Sequence, residues 1–375
     1  MNTVLKDKVE IGLVLQGGGA LGAYEFGAIE ALLELMDAIH AEGRTVTLAA
    51  VTGVSIGAIN AACVVGATDR ADAKRRLQLL WSELSLESRN YWWGIASQDF
   101  ALFGVHGFYK PRYDYWNVFR WTNFYNTEPM LGTLARHVNF TALNNSPTTF
   151  VVTAVDVSSG ELVRFCNHPH KGEKRTEIGP RHVLASGSLP PGFPATPIGD
   201  ANFWDGGIVD NTPLGDAIDA FSGSDDVDRI LVVMNLFRSK RAAPKNMIEV
   251  NDRLSELRYG NRLRQDGANA AVINELLQTV EALYAAVPVE ARDPQLVDKV
   301  SRAQRFKTLG AITNIDLADT GLMKEAGLSA ESRDSGAFRD FSAAGIQRRR
   351  EAGYKLAQLK LQDVFRTRGL LPVLH

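Results

Sequence analysis

Two segments near the start of the chain share the pattern that restricts its fold most: a strand-length apolar run, a glycine-containing turn, and then apolar residues at helical spacing. Val9 to Leu15 is the first run, and it is followed by Gly17, Gly18 and Gly19. Val46 to Val51 is the second run, and its turn spans residues 52–57. Two such units in series are typical of a parallel sheet covered by helices. We therefore predict an α/β fold with three layers, α/β/α, around a mainly parallel central sheet.

The remaining sequence divides into two parts near residue 240. Before it, Thr148 to Val157 and Glu161 to Cys166 predict a hairpin, and Arg229 to Leu236 predicts a buried strand. After it, the sequence pattern is helical and rich in charged residues. It includes a short strand-like piece at Ala311 to Leu317 and a last periodic segment from Ser335 to Thr367. We predict an α/β domain over residues 1–240 and a mostly helical C-terminal extension over residues 241–375, which can dock on the sheet.

Charge and cysteine content limit the partners and the compartment. The 41 basic and 43 acidic residues leave a net charge of −2, so we expect no nucleic-acid partner. Two cysteines, Cys63 and Cys166, cannot supply a disulfide framework, which favours a reducing compartment and a cytoplasmic location. Residues 49–67 carry no charge, but their Ala- and Gly-rich composition predicts a buried strand, turn and helix and not a membrane span.

A G-x-S-x-G pentapeptide, Gly53-Val54-Ser55-Ile56-Gly57, lies between a predicted strand and a predicted helix. A nucleophile elbow requires this context, because a tight turn there projects the serine hydroxyl from the end of the strand. Glycines on both sides leave room that a Cβ would fill. A plain Gly/Ser turn is the alternative interpretation. We take Ser55 as the candidate nucleophile.

A nucleophilic serine needs a base, and the sequence offers an aspartate more readily than a histidine. In ordinary α/β-hydrolases the chain order is serine, acid, histidine. If Asp205 is the acid, only His375 follows it, at the last position of the sequence, where a base is poorly held. An aspartate acting directly on the serine removes this difficulty. Asp205 precedes Gly206 and Gly207, although an Asp-Gly pair by itself more often marks a turn.

The early glycines are the third candidate element. In Gly17-Gly18-Gly19-Ala20-Leu21-Gly22, which opens a helix, successive backbone N–H groups can point at one anionic oxygen. The same residues fit a dinucleotide fingerprint, but that motif needs an acid at the end of the second strand, where this chain has Thr52. A calcium loop starting at Asp200 fails because Trp204 and Asn211 occupy ligand positions. We therefore predict neither a cofactor nor a metal.

In their order along the chain, these blocks resemble the patatin-like phospholipase family, in which a glycine-rich loop, a G-x-S-x-G serine and a later Asp-Gly-Gly aspartate form the site. The resemblance spans roughly residues 9–237 and includes Ala185 to Pro194, which looks like a further family block. It implies a patatin-like catalytic domain in residues 1–240. It also implies that Ser55 is the nucleophile, Asp205 the base, and that the oxyanion hole is formed by Gly17, Gly18 and Gly19.

The implied activity is hydrolysis of lipid acyl esters, by a phospholipase, lysophospholipase or esterase, through an acyl-enzyme. Acyl transfer by the same intermediate, or a lipid- or partner-binding module without activity, remain as alternatives. One departure from the family pattern concerns the substrate. Many family members have arginine, which could hold a phosphate group, where this chain has Leu21. This departure weakens the prediction of a phospholipase more than that of an esterase. The sequence leaves the oligomeric state open.

Residues 91–125 stand out because fourteen of the 35 are aromatic, with no clean period. We predict an irregular insertion over the core and expect most of its rings to form the insertion's own core. An acyl-chain pocket, or a patch giving peripheral contact with a membrane, is the alternative.

Overall fold

The computed structural model describes residues 8–86, 101–169, 175–221, 227–237, 243–304, 313–316, 325 and 338–372. The strands are β1 Lys8–Leu15, β2 Thr45–Gly53, β3 Lys110–Pro111, β4 Tyr125–Asn126, β5 Thr149–Asp156, β6 Leu162–Cys166, β7 Thr196–Ile198, β8 Ala201–Asp205, β9 Val227–Asn235 and β10 Thr313–Asp316. The helices are α1 Gly22–Ala41, α2 Ile56–Val65, α3 Arg70–Glu83, α4 Glu128–His137, α5 Phe140–Asn145, α6 Pro180–Ser186, α7 Leu214–Asp219, α8 Met247–Ala286, α9 Pro294–Gln304 and α10 Ala343–Thr367.

The central sheet has the strand order β10-β9-β1-β2-β5-β8-β7, and β6 also pairs with β5. The five strands from β10 to β5 run parallel, whereas β6, β7 and β8 add antiparallel pairs. The predicted α/β class and the mainly parallel sheet are confirmed. The hairpin predicted around residues 158–160 is confirmed as β5 and β6, and the strand-like piece near residue 315 is β10.

The alternation of side chains along β1 shows how the sheet acquires two covered faces. Ile11, Leu13 and Leu15 enter the large core that also contains the apolar faces of α1, α2 and α10. Val14 points to the opposite side, into a smaller core with Leu214 of α7. Because successive residues of a strand face opposite sides of the sheet, both layers of helices bury apolar residues from the same strands. This arrangement is the predicted three-layer architecture.

A buried polar network ties the first three helices together behind the sheet. The Asn60 side chain of α2 donates to Glu25 Oε2 of α1 at 3.0 Å and accepts from Trp81 Nε1 of α3, also at 3.0 Å. Burial raises the pKa of Glu25 well above its ordinary value, although the Asn60 hydrogen bond acts in the opposite direction. The network fixes α2, the helix that starts directly after Ser55, against α1.

The last helix, α10, packs closely along α1. A Cβ added at Gly27 of α1 would meet the backbone carbonyl of Arg350, and a Cβ added at Gly353 of α10 would meet that of Tyr24. Glycine at both positions therefore permits this approach. Arg350 also pairs with Glu30 through two hydrogen bonds of 2.6 and 2.8 Å. The C-terminal segment thus docks on the α/β core, while the division at residue 240 stays a prediction.

The described part of the aromatic insertion, residues 101–125, contradicts one expectation. Phe108 and Tyr109 are buried in the main core. Six other aromatic side chains of this stretch are exposed, namely Phe103, Tyr113, Tyr115, Trp116, Phe119 and Phe124. The expectation that most rings form the insertion's own core is therefore wrong here, because the segment folds as a short β3–β4 ladder with an outward-facing tip. Residues 91–100 lie outside the described residues.

Among the described helices, none combines the length and the apolar composition that crossing a bilayer requires. The uncharged stretch of residues 49–67 forms β2, the turn at Ser55 and α2, as predicted.

Candidate active site

Ser55 occupies a sharp turn between β2 and α2. Its φ of 55° and ψ of −122° make it the one non-glycine residue with positive φ among those that the structure describes. Such a conformation costs about 1–3 kcal/mol and persists only where the surroundings enforce it. Glycine is needed on both sides, since a Cβ at Gly53 would lie 2.5 Å from the Gly57 oxygen and one at Gly57 would lie 2.5 Å from the Leu15 oxygen.

A neighbouring helix end holds the backbone of this turn. The Ser55 N–H donates to Ser186 Oγ at 2.9 Å, and Ser186 is the last residue of α6. Ser188, two residues further on, accepts a hydrogen bond at its carbonyl from the Asp205 N–H, 3.1 Å away. One short segment thus contacts the backbones of both candidate catalytic residues.

Asp205 ends β8 and is nearly inaccessible to solvent, with 3% of its surface exposed. Burial raises the pKa of its carboxyl from 3.8 to about 7, against the lowering effects of hydrogen bonds from the Gly207 N–H and the Ser55 side chain. The Gly207 N–H lies 2.8 Å from Asp205 Oδ1. A carboxyl with this pKa is a much stronger base than an exposed aspartate.

The register of the sheet explains how two residues 150 positions apart in the sequence meet. Gly53, at the end of β2, is opposite Val152 of β5. Asp205, at the end of the antiparallel strand β8, is opposite Ala154, two residues further along β5. The ends of β2 and β8 therefore approach the same level of β5 from opposite directions, so the turns that follow them lie close together. The structure brings Ser55 and Asp205 together, as the sequence predicted.

The glycine loop, residues 17–22, lies beside these turns, because β1 and β2 are parallel neighbours that end at the same level. Leu15 pairs with Gly53, and the Val54 N–H donates to the Leu15 carbonyl at 3.2 Å. A Cβ at Gly17 would lie 2.9 Å from the Ser55 Cβ, so the loop touches the elbow directly. Gly19 has a φ of 56°, in the left-handed region that glycine adopts easily.

The side chain of Asn211 fixes the start of the loop. Its Oδ1 accepts from the Gly17 N–H at 3.0 Å, and its Nδ2 donates to the Gly17 carbonyl at 3.1 Å. The Gly17 N–H is thus already engaged within the protein, which departs from the prediction that all three glycine amides serve one oxyanion. Gly18 and Gly19 remain the candidates.

A cavity of about 540 Å³ opens beside these groups, a typical size for a small-molecule site. Its lining includes Gly18, Gly19, Ser55 and Asp205. Most other lining residues are apolar or aromatic, including Phe108, Tyr109, Phe193 and Phe341. The arrangement suits a substrate with a long apolar part and one reactive carbonyl. Tyr109 and Phe108 belong to the insertion, so part of it does line a pocket, one of the two alternatives for that segment.

The described lining of this cavity contains no histidine, and His375 lies outside the described residues. His182 packs edge-on against Phe165 instead, and burial lowers its pKa. No group of three or more His, Cys, Asp or Glu among the described residues is arranged to hold a metal ion.

The sequence matches the model of the Patatin-like phospholipase family over residues 13–218, more than half of the chain. The chain belongs to the patatin-like phospholipase family. This membership supports lipid acyl hydrolase activity in general. Among solved structures, the crystal structure of VipD from Legionella pneumophila is similar, with 14% sequence identity and a TM-score of 0.40 over 95% of this chain and 67% of that chain. No curated protein sequence matches this one.

The sequence assigned no role in the site to three residues that contact or line it, and it predicted Ser186 only as a helix-end residue. Asn211 and Ser186 act through hydrogen bonds to Gly17 and Ser55, across sequence separations of 194 and 131 residues. Asn211 follows the Asp-Gly-Gly block closely, and Ser186 lies in the block from Ala185 to Pro194, so their neighbourhoods did carry a signal.

The third residue is Arg339, which comes from the C-terminal extension. It is exposed and lines the cavity, with its guanidinium 4.9 Å from the Phe338 ring. Asp205 is the other charged residue in the described lining. The Ala20 N–H donates a hydrogen bond of 2.9 Å to the Phe338 carbonyl, which places this segment against the glycine loop. Leu21, where many family members have arginine, is buried.

Proposed function

We propose that this protein is a serine acyl hydrolase that cleaves lipid acyl esters through a Ser55–Asp205 dyad. The observation that supports it best is the buried Asp205 carboxyl, whose pKa near 7 is set by burial and which hydrogen-bonds the side chain of a serine with positive φ. Strained backbone and a perturbed pKa in one cleft are typical of functional sites. A cytoplasmic site of action stays a prediction from the cysteine content.

In the proposed first step, Asp205 takes the proton of the Ser55 hydroxyl while Oγ attacks the ester carbonyl carbon. The electron pair of the C=O bond moves to the oxygen, and the N–H groups of Gly18 and Gly19 stabilise that oxyanion. Each such donor typically lowers the activation free energy by about 3–4 kcal/mol. When the tetrahedral intermediate collapses, the bond to the leaving alkoxide breaks, and protonated Asp205 returns its proton to that oxygen.

In the second step, water replaces the alcohol. Asp205 removes a proton from the water, the resulting hydroxide oxygen bonds to the acyl carbon, and the bond to Ser55 Oγ breaks with return of the proton to the serine. A single carboxyl with a pKa near 7 suits both directions, because near neutral pH it is present in protonated and deprotonated forms in similar amounts.

Within this proposal, a phospholipid is the substrate class that the cavity favours over a neutral ester. The cavity is mostly apolar, and Arg339 places a positive charge in its lining. Leu21, at the position where many family members have arginine, carries no charge. Arginine binds a phosphate through two parallel N–H donors, each of them a charge-assisted hydrogen bond. We assign Arg339 to the phosphodiester of the headgroup.

Ser55→Ala and Asp205→Asn test the dyad on a panel of phospholipids, lysophospholipids and p-nitrophenyl butyrate. We expect both variants to lose at least about a thousandfold in kcat/KM, and a fluorophosphonate probe to label the wild type but neither variant. Ser85→Ala, which changes a half-buried serine that does not line the cavity, is the matched control and should behave as the wild type. Full activity in Ser55→Ala would overturn the proposal, and absence of labelling in the wild type would favour a binding module. Product analysis with added acceptor alcohols separates hydrolysis from acyl transfer.

Arg339→Met and Arg339→Lys test the substrate class separately. Losing a charge-assisted hydrogen bond of about 1.5–3 kcal/mol lowers kcat/KM roughly ten- to a hundredfold. We expect Arg339→Met to show this loss on phospholipids but not on p-nitrophenyl butyrate, and Arg339→Lys to recover part of it. An equal loss on both substrates would exclude headgroup recognition while leaving the dyad untouched.

A further inference from the structure

An aromatic protrusion stands beside the cavity. Residues 112–124, called here the aromatic loop, are closed at their base by the antiparallel pair of β3 and β4. The loop carries a 3₁₀ helix, Tyr115–Arg120, in which no residue is buried. Phe119 is fully exposed and Trp116 is 87% exposed, while Tyr113 and Tyr115 are exposed to a smaller extent.

The loop holds its shape without burying these rings. The Arg112 side chain donates to the carboxylate of Asp114 at 2.9 and 2.6 Å, and its guanidinium lies 4.9 Å above the Trp121 ring. Asn123 donates to the Tyr125 carbonyl at 2.8 Å. Folding therefore does not require the outward-facing rings at the tip. Several large apolar side chains exposed together on one short loop usually mark an interaction site.

The base of the loop is joined to the rim of the cavity. The Phe124 N–H donates to the carbonyls of Pro191 and Gly192 at 3.2 and 3.1 Å, and the Tyr125 N–H donates to Gly192 at 2.9 Å. Pro191 and Gly192 both line the cavity. Leu102, whose carbonyl accepts from the Tyr125 hydroxyl at 3.2 Å, lines the cavity and is also exposed. The base of the aromatic loop is thus held directly at the rim of the cavity, next to the exposed side chain of Leu102.

The net charge of the aromatic loop and the types of its exposed rings indicate which kind of surface it fits. Arg112 and Asp114 neutralise each other, so Arg120 leaves the loop with a net charge of +1. A single positive charge does not select strongly anionic lipid. Tryptophan and tyrosine together are typical of the boundary between lipid headgroups and acyl chains. A protein bound over the loop would cover the cavity mouth, whereas a bilayer there would deliver the substrate.

We infer that the aromatic loop seats the cavity mouth on the surface of a zwitterionic lipid bilayer. This inference rests on the proposed function, because it assigns the direction from which the lipid enters. Trp116 and Phe119 are the main anchors, and the described lining of the cavity includes neither, so they act on binding to the bilayer and not on the chemistry.

Binding of the full chain to phosphatidylcholine vesicles, measured by co-sedimentation, tests the inference. Insertion of one large aromatic side chain contributes about a tenfold change in partitioning, so Trp116→Ser/Phe119→Ser should bind about a hundredfold more weakly than the wild type. Leu79→Ser, which removes an exposed apolar side chain from α3, is the matched control and should bind normally. Hydrolysis of soluble p-nitrophenyl butyrate should be unchanged in both variants, which shows that they are folded.

Two further measurements separate the possible outcomes. Ser55→Ala should bind vesicles as the wild type does, so a failed dyad and a failed docking surface give different results. Brominated lipids should quench part of the tryptophan fluorescence in the wild type but markedly less in Trp116→Phe, which keeps an apolar ring at that position. Wild-type binding by the double variant would overturn the inference. So would sedimentation showing that the loop mediates self-association and that vesicles are not bound.

Discussion

Asp205→Asn should abolish catalysis and at the same time stabilise the fold above neutral pH. The folded protein raises the carboxyl pKa from 3.8 to about 7, chiefly through burial. Between these two values the folded state binds more protons than the unfolded state. Stability therefore falls as the pH rises through this range, and the full cost is present above pH 7.

The size of this cost follows from the two pKa values. A shift of about three units corresponds to roughly 4 kcal/mol of unfolding free energy, because each unit is worth about 1.4 kcal/mol. At pH 8 nearly all of it applies, and at pH 5 less than half of it applies. Asparagine has almost the same shape, can still accept from the Gly207 N–H, and never carries the charge. Its stability advantage over the wild type should widen by roughly 2–3 kcal/mol between pH 5 and pH 8.

Urea unfolding of wild type and Asp205→Asn, followed by far-UV circular dichroism at half-unit pH steps, measures this gap. All other titrating groups are common to both proteins, so their pH dependence cancels in the difference. The reasoning is refuted if the gap stays constant from pH 5 to pH 8, because the carboxyl would then titrate alike in the folded and unfolded chains.

Three more outcomes follow from the structure. If deprotonated Asp205 is the base, kcat/KM for p-nitrophenyl butyrate should rise tenfold per pH unit below about 7 and level off above it; a flat profile from pH 5 to 8 would exclude this role. Gly27→Ala should lower the free energy of unfolding by about 2 kcal/mol or more, since its Cβ would press on the α10 backbone. Gly215→Ala, whose Cβ would meet nothing within 4 Å, should instead raise the free energy of unfolding by about 0.5–1 kcal/mol. Equal effects of the two substitutions would count against the close contact between α1 and α10. Asn211→Ala should lower kcat roughly ten- to a hundredfold with little change in KM, because Gly17 loses both of its hydrogen bonds; an effect on thermal stability alone would show a merely structural role.

The docking of α10 on α1 gives the C-terminal extension a structural role in the site. Residues 338–341 precede α10 and contact both the glycine loop and the segment that follows α3, through hydrogen bonds from the Ala20 N–H and the Leu86 N–H. Arg349 of α10 is buried and pairs with Asp340 at 3.4 Å, which fixes that segment. Loss of the extension would therefore remove Arg339 from the cavity and uncover the glycine loop.

Local sequence determined the elements that depend on neighbouring residues. The strand–turn–helix units, the hairpin at residues 158–160 and the elbow around Ser55 were predictable because strand propensity, helical spacing and glycine at fixed offsets are properties of a few adjacent positions. The choice of Asp205 needed more, since Asp-Gly by itself favours a turn. Only the order of four motifs along the chain made it the stronger candidate.

Tertiary structure alone decided which distant groups serve the site. Asn211 engages the Gly17 amide, Ser186 holds the Ser55 backbone, and Arg339 enters the cavity from beyond residue 240. The outward direction of the rings in the aromatic loop was decided in the same way, against the sequence expectation. Composition records that a residue is aromatic, amide or charged, but burial, partner and pKa depend on which elements the sheet register and the helix packing place beside it.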